Sequence, residues 1–395
     1  MKPINKKITC FILVLAFLSL IFSSCELGQT EQKSKIYKIG AILSLTGGAS
    51  FLGDPEKKTL EMLVEKVNLE GGVNGHPLKL IIMDSNSTSP ATVAAFNKLV
   101  SEEKVLAIIG PSTSGTTIEI LPLTMKHEIP LISCAASHKI VQHTYTKTPY
   151  PWVFKTAQSD SMAVEAMYSF MQSKGIKKIA VMNINSGYGY SGLKEIERLA
   201  PVYGIDIIGK EVYALQENDM KLPLTRIKAL NPQAIINWSI GPSQIAVVQA
   251  WKELGMDKIK LFQSHGFGSL KNVQLAGGSA EGVYLPLGAV NVADVLPANH
   301  PQKQVTTQYA KEYNEKYQEP VSSFGGHAWD AFYLLVNALE KAGADRAKIR
   351  DEIENTKGFV GQGGIFNMSV VDHNGLDKTA FKMTVVKNNT WALAE

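Results

Sequence analysis

Two segments of this chain run from an apolar stretch into small hydroxyl residues, and they are built alike. Leu106-Ala107-Ile108-Ile109-Gly110-Pro111-Ser112-Thr113-Ser114-Gly115 is the first, and Ile129-Pro130-Leu131-Ile132-Ser133-Cys134-Ala135-Ala136-Ser137 the second. Short hydroxyls and bare main-chain N–H groups suit the holding of a small anion. Nothing in either segment resembles a reaction centre. Apolar runs of this length, bounded by Gly or Pro, suit parallel strands covered on both faces. The loops after such strands lie at the carboxyl edge of the sheet, where open α/β proteins bind ligands.

Strand and helix patterns alternate around these segments. Tyr37 to Leu43 reads as a strand, followed by a loop from Ser44 to Gly53 and a helix from Thr59 to Leu69 that stops at Gly71-Gly72. Leu78 to Asp84 is a second strand and Ala91 to Glu102 a second helix. The two segments above supply strands three and four, the first followed by a helix that includes Thr117 to Lys126. A fresh round starts near Phe154, with strands at 178–182, 205–212, 234–238 and 261–263 and helices between them. Long helices follow at 302–317 and 328–342, and 379–391 alternates as a strand pair. With 395 residues and two β/α rounds, the chain predicts two lobes joined by more than one crossover. Asp84 suits a helix cap, and His327 with Asp330, at a helix start, suits a structural role.

The amino terminus reads as an export signal. Lys2, Lys6 and Lys7 precede the apolar run from Phe11 to Phe22, and Ser23-Ser24-Cys25 follows. The run is shorter than the roughly 20 residues that span a bilayer, so residues 1–24 are expected to be cleaved. A Cys directly after two small residues resembles the lipobox of bacterial lipoproteins, although Phe22 stands where Leu is usual. Cys25 is then the lipidated residue and 25–36 a polar tether. Cys10 leaves with the signal, so Cys134 remains alone and forms no internal disulfide. The net charge of +4 falls to about +1 without the three signal lysines, which is no nucleic-acid footprint. A nucleophile elbow is absent: neither Gly110 to Gly115 nor Gly189 to Gly192 has the Gly-x-Ser-x-Gly spacing. There is no phosphate-loop Gly-Lys-Ser/Thr and no paired Cys/His metal pattern, so an exported hydrolase is a remote alternative.

The chain resembles the branched-chain amino acid (Leu/Ile/Val) binding proteins, the type I solute-binding proteins of ABC transporters. The residues that carry the resemblance are Gly40 to Gly53 with Leu52-Gly53-Asp54, the Glu70-Gly71-Gly72-Val73-Asn74-Gly75 turn, and Asp84 with Pro90. They continue through Ile109-Gly110 with Ser114, Ile129-Pro130 with Ala135-Ala136-Ser137, Tyr188-Gly189, Ser279 to Gly282 and Gly361 to Phe366. Their order and spacing together are specific. The resemblance implies an α/β fold of two Rossmann-like lobes with parallel central sheets, joined by a multi-strand hinge: a Venus flytrap, the type I periplasmic binding protein. Lobe 1 is expected to comprise 37–155 plus 288–360, and lobe 2 156–287 plus 361–395.

The same resemblance places the ligand's carboxylate on Ser114 and Ser137 and on the first-loop N–H groups. Ala135 falls where a backbone carbonyl meets a ligand ammonium. Without the resemblance, each serine suits a helix N-cap. Tyr188 matches an aromatic lid, Phe324 a pocket wall, and Leu52 takes the position of an aromatic over the ligand. His265 stands where amino-acid binders place a Glu that pairs with the ammonium, and Ile240 where they place a polar aromatic. A buried ammonium needs an anionic partner, so the expected ligand is a small carboxylate, either an amino acid or, as His265 favours, an amino-acid-like or aromatic acid with an apolar body. The resemblance further implies an ABC permease as partner, a monomer, no cofactor or metal, and attachment to the periplasmic or extracellular membrane face through lipid only. A sensory subunit of the same fold would share this sequence pattern.

Overall fold

The computed structural model describes residues 35–143 and 146–394; the signal segment, Cys25 and most of the tether lie outside the described residues. The first sheet contains β1 (Tyr37–Leu43), β2 (Leu78–Asp84), β3 (Ala107–Ile109), β4 (Leu131–Ser133) and β5 (Val153–Lys155), all parallel, in the order β2-β1-β3-β4-β5. Side chains alternate across it. Ile39, Ala41, Leu43, Ala107 and Ile109 pack into one core, and Ile42, Ile108 and Leu131 into another on the opposite face. Burial on both faces explains the unbroken apolar runs that made these strands legible.

The second sheet repeats that order. Strands β6 (Lys178–Ile184), β7 (Asp206–Tyr213), β8 (Ala234–Trp238), β9 (Lys260–Gln263) and β10 (Tyr284–Leu287) run in parallel as β7-β6-β8-β9-β10. A small hairpin, β11 (Phe359–Val360) with β12 (Ile365–Phe366), stands apart. Antiparallel β13 (Lys382–Lys387) and β14 (Thr390–Leu393) then extend the second sheet beyond β10. Helices α1 (Ser50–Leu69), α2 (Ser89–Asn97) and α3 (Ser114–His127) belong to the first round. Helices α4 (Asp160–Ser173), α5 (Gly187–Tyr203), α6 (Lys221–Ala229), α7 (Pro242–Glu253) and α8 (Leu270–Ala276) belong to the second. The chain then returns with α9 (Lys303–Tyr317), α10 (Ser323–Ala342) and α11 (Arg346–Glu354). Residues of α9, α10 and α11 pack with those of α1 in the first core.

Among the described residues the chain passes between the sheets three times: after β5, after β10 and before β13. The passes are laced together. The Gln158 amide donates to the Gly363 carbonyl at 2.8 Å and the Ser159 hydroxyl to Asn374 Oδ1 at 2.9 Å. The Asp330 carboxylate accepts the N–H groups of Gln362 at 2.6 Å and Gly363 at 2.8 Å, so this residue braces the last pass. Phe366, Met368, Leu376 and Ala380 sit in the first sheet's core, and Phe381 joins the second. The division expected after residue 360 falls ahead of this segment.

Two helix starts differ from the sequence reading. Helix α1 begins at Ser50, not near Thr59, and carries Gly53-Asp54-Pro55 inside it. Turn residues disguise this start. Gly53 is needed there because a Cβ would stand 2.2 Å from the Ser44 carbonyl oxygen, which is how closely the helix crosses the end of β1. Helix α10 begins at Ser323, ahead of the expected 328. Asp84 is not a helix cap: it accepts the N–H groups of Leu45, Thr46 and Asn86 and thereby fixes the loop after β1.

Candidate functional site

In a sheet ordered 2-1-3-4-5, loops leave in opposite directions on either side of the first and third strands and open a crevice at the carboxyl edge. Here that occurs twice, between β1 and β3 and between β6 and β8. The two crevices face each other. Between them lies a cavity of about 240 Å³. Its walls include Ala49, Leu52 and Ser112 to Thr116 from the first lobe, and Ser186 to Tyr188 and Ile240 from the second. The lobes approach closely at its edge, where a Cβ on Gly187 would lie 3.2 Å from the Gly115 Cα.

The first-lobe wall is built around the amino end of α3. Thr113 caps this helix, its hydroxyl accepting the Thr116 N–H at 3.4 Å. First-turn N–H groups have no carbonyl partner within a helix, and the helix dipole adds a positive end there. Ser114 lines the cavity with them, and its hydroxyl accepts the Ser137 N–H at 3.2 Å. Ala135 lines the cavity as well. Ser137 is not among the lining residues. Its hydroxyl instead meets that of Ser191, on the second lobe's α5, at 2.8 Å, and also receives the Lys139 N–H at 3.3 Å.

The second-lobe wall is aromatic and apolar. Tyr188 stands in the first turn of α5, whose cap Ser186 accepts the Gly189 N–H at 3.1 Å. Its ring lies 5.8 Å from Trp238 and 5.6 Å from His265, and His265 is also 5.6 Å from Trp238. Three rings therefore hold one another in place, each edge or tilt contact filling space the next cannot leave. Ile240 and Leu215 add apolar surface to the same wall. Leu52 and Phe324 complete the lining from α1 and α10, and Phe324 contacts Phe51 edge-on at 5.9 Å. The structure thus gathers seven of the eight expected positions at one cavity: Leu52, Ser114, Ala135, Tyr188, Ile240, His265 and Phe324.

Three lining residues were not foreseen as ligand-facing. Glu56 follows Leu52 by one helical turn, a spacing that becomes visible only once α1 is known to start at Ser50. His327 follows Phe324 by three residues on α10, and its place on that face depends on the same kind of early start. Cys134, directly after β4, is a buried free thiol.

Burial governs the charge state of this cavity. It raises the Glu56 carboxyl to about 8, against the lowering effect of the Ser112 hydroxyl, which donates to Glu56 while accepting the Ser44 N–H at 3.0 Å. It lowers His265 to about 3, helped by neighbouring His327 and Lys155, and His327 to about 3, helped by Lys155. Lys155 itself donates to the carbonyls of Ala136 at 3.1 Å and Ala157 at 2.5 Å, just behind the wall. At neutral pH, then, Glu56 is protonated and both imidazoles are uncharged. The strongest attraction left for a charged ligand is that of helix amino ends for an anion. Among the described residues no group of three or more His, Cys, Asp or Glu is placed to hold a metal ion.

Comparison with known proteins agrees with this architecture. The family profile described as "Periplasmic binding protein" matches residues 36–389. The chain is similar to the leucine-, isoleucine-, valine-, threonine- and alanine-binding protein of Pseudomonas aeruginosa, 23% identical over 318 residues covering 80% of this chain and 81% of that protein. A crystal structure of an extracellular ligand-binding receptor from Rhodopseudomonas palustris HaA2 superposes with a TM-score of 0.84 at 26% identity, covering 91% of this chain and 100% of the other. A solute-binding protein of an ABC transporter from Rhodopseudomonas palustris BisB5, in complex with 3,4-dihydroxybenzoic acid, superposes with a TM-score of 0.76 at 18% identity over 90% and 95% of the two chains. The protein belongs to the periplasmic binding protein family, with the two-lobed Venus-flytrap fold of a binding protein rather than an enzyme.

Proposed function

We propose that this protein is the extracytoplasmic solute-binding component of an ABC importer, which takes a small carboxylate into the interlobe cavity and delivers it to a permease. The observation that carries the reading is the amino end of α3, where Ser114 and first-turn N–H groups open into a cavity whose own acid and imidazoles are uncharged. Hydrogen bonds to a charged group in such a site contribute about 1.5–3 kcal/mol each. The relatives fit this chemistry: one is named for aliphatic amino acids and another holds 3,4-dihydroxybenzoic acid, ligands that share a carboxylate and little else.

The lobes move as units, 37–155 with most of the segment after residue 288 in one and 156–287 with the carboxyl end in the other; Phe366, Met368, Leu376 and Ala380 in the first core favour a last boundary later than residue 360, while Ala289, Val292 and Leu296 pack with the second core. The solute contacts both lobes only when they close, so it shifts the population toward the closed form. Ser114 holds the acid group. Ser137 supports it by giving its N–H to the Ser114 hydroxyl and latches the lobes through Ser191. Cys25 carries the lipid that keeps the protein, as a monomer, at the periplasmic or extracellular membrane face. Calorimetry on Ser114→Ala with Ser137→Ala tests the reading: solute affinity is expected to fall by about 2–3.5 kcal/mol, roughly 30- to 400-fold, with the fold retained, and unchanged affinity would refute it. Solute-dependent cross-linking to a permease, rather than to a membrane kinase, tests delivery.

A further inference from the structure

His265 and His327 both belong to the cavity lining, and ring nitrogens of each lie buried with no protein partner: both nitrogens of His265 and Nδ1 of His327. The side chains are nearly sealed from solvent, at 8% and 4% exposure. Buried polar atoms without partners are rare in folded proteins, and two such rings bordering one space point to a polar group that the space receives. The rings are also fixed. His265 is wedged among Tyr188, Trp238 and Phe381, with ring centres 5.3–5.6 Å away. The carbonyl of His327 accepts the Thr156 hydroxyl at 2.8 Å, which ties its helix to the first interlobe pass.

A neutral imidazole presents one N–H donor and one acceptor nitrogen. A hydroxyl complements it, since it both accepts and donates. An ammonium offers donors only and would set its charge against an imidazole N–H, while a second carboxylate would bring a buried charge with no cation lining the cavity to meet it. Glu56 brings no charge to meet an ammonium, because burial keeps its carboxyl protonated while Ser112 donates to one of its oxygens. Leu52, Ile240 and Phe324 add apolar surface to the same lining.

We propose that the solute is a hydroxy acid: its carboxylate rests at Ser114, an apolar body fills the middle, and an uncharged hydroxyl is read by His265 and His327. This rests on the carboxylate reading above and adds the solute's other polar group.

Calorimetry with matched acids tests it on the intact mature protein. The probes are 4-methylpentanoic acid, 2-hydroxy-4-methylpentanoic acid and leucine, and benzoic, 4-hydroxybenzoic and 4-(aminomethyl)benzoic acid. In at least one set the hydroxy acid is expected to bind at least ~10-fold tighter than its parent, the gain of about one good hydrogen bond. In His265→Phe the ratio of parent-acid Kd to hydroxy-acid Kd is expected to fall below ~3-fold; His265→Asn, which retains a donor and an acceptor, is expected to restore part of it. Equal binding of parent and hydroxy acids, or tightest binding by the amine-bearing acid, overturns the proposal and leaves the carboxylate grip standing. The grip fails separately, if Ser114→Ala binds the parent acids as well as the wild type does.

Discussion

The crevice between β1 and β3 is lined by Ala49, Ser112 and Ser114, whereas the equivalent crevice between β6 and β8 is lined by Tyr188 and Ile240, with Trp238 packed behind them. The two sheets share one strand order, so topology alone gives each lobe a ligand-facing edge. What differs is which side chains the loops carry there. Both crevices carry a hydroxyl-capped helix end, but the first adds Ser112, Ser114 and Thr116, which suit a charged head group, while the second adds Tyr188 and Ile240, which with Leu52 and Phe324 suit a body. A charge is satisfied by a few oriented dipoles, while an apolar body is satisfied by area. On the proposed carboxylate reading, one lobe holds the acid while the other tells one solute from the next on closing.

The contrast breaks most severely if the lobes cannot meet. Gly187→Val places a side chain where even a Cβ would lie 3.2 Å from Gly115. It is expected to weaken solute binding more than ~100-fold, with scattering profiles that stay open at saturating solute. Wild-type affinity in this variant would mean that closure there is not required. Next comes the head-group lobe alone: Ser114→Ala is expected to cost about 1.5–2 kcal/mol, roughly 10- to 30-fold in Kd by calorimetry, for every acid tested. A loss confined to some acids would move the discrimination into the first lobe.

The neutrality of the first wall is checked by pH. Burial raises the Glu56 carboxyl from 4.5 to about 8, so the folded protein keeps a proton that the unfolded chain releases. The stability this contributes is present in full below pH 4.5 and is lost as pH rises through about 8. The thermal midpoint is therefore expected to fall across that window, with a flatter profile in Glu56→Gln; identical slopes in the two proteins would show an ionised Glu56. The smallest effect is expected from Ser137→Ala, which removes the 2.8 Å bond to Ser191. A loss of about 0.5–1.5 kcal/mol in solute affinity fits a latch between lobes, and a loss as large as that of Ser114→Ala would return Ser137 to the acid group.

Most of the two-lobed fold was legible because parallel strands buried on both faces read as near-continuous apolar runs, as in Tyr37 to Leu43, broken only by Lys38, and Ala234 to Trp238, broken only by Asn237. Helix starts at the cleft were not. Gly53-Asp54-Pro55 reads as a turn, yet it lies inside α1 because Gly53 lets the helix cross the β1 end closely. Starting α1 and α10 too late hid Glu56 and the ligand-facing position of His327, each on the same helix face as a residue already singled out. Ser114 and Ser137 show a different limit. Both are small hydroxyls that follow similar strands, and only the meeting of the loop after β4 with α5 decides that one lines the cavity and the other contacts the opposite lobe.

The division of labour between the lobes is tested most directly by a crystal structure of the protein with a bound carboxylic acid. Both acid oxygens are expected within hydrogen-bond distance of the Ser114 hydroxyl and the first-turn N–H groups of α3, with the body against Tyr188 and Ile240. An acid group seated instead against His265 and Tyr188, with its apolar end at Ser114, would contradict the account.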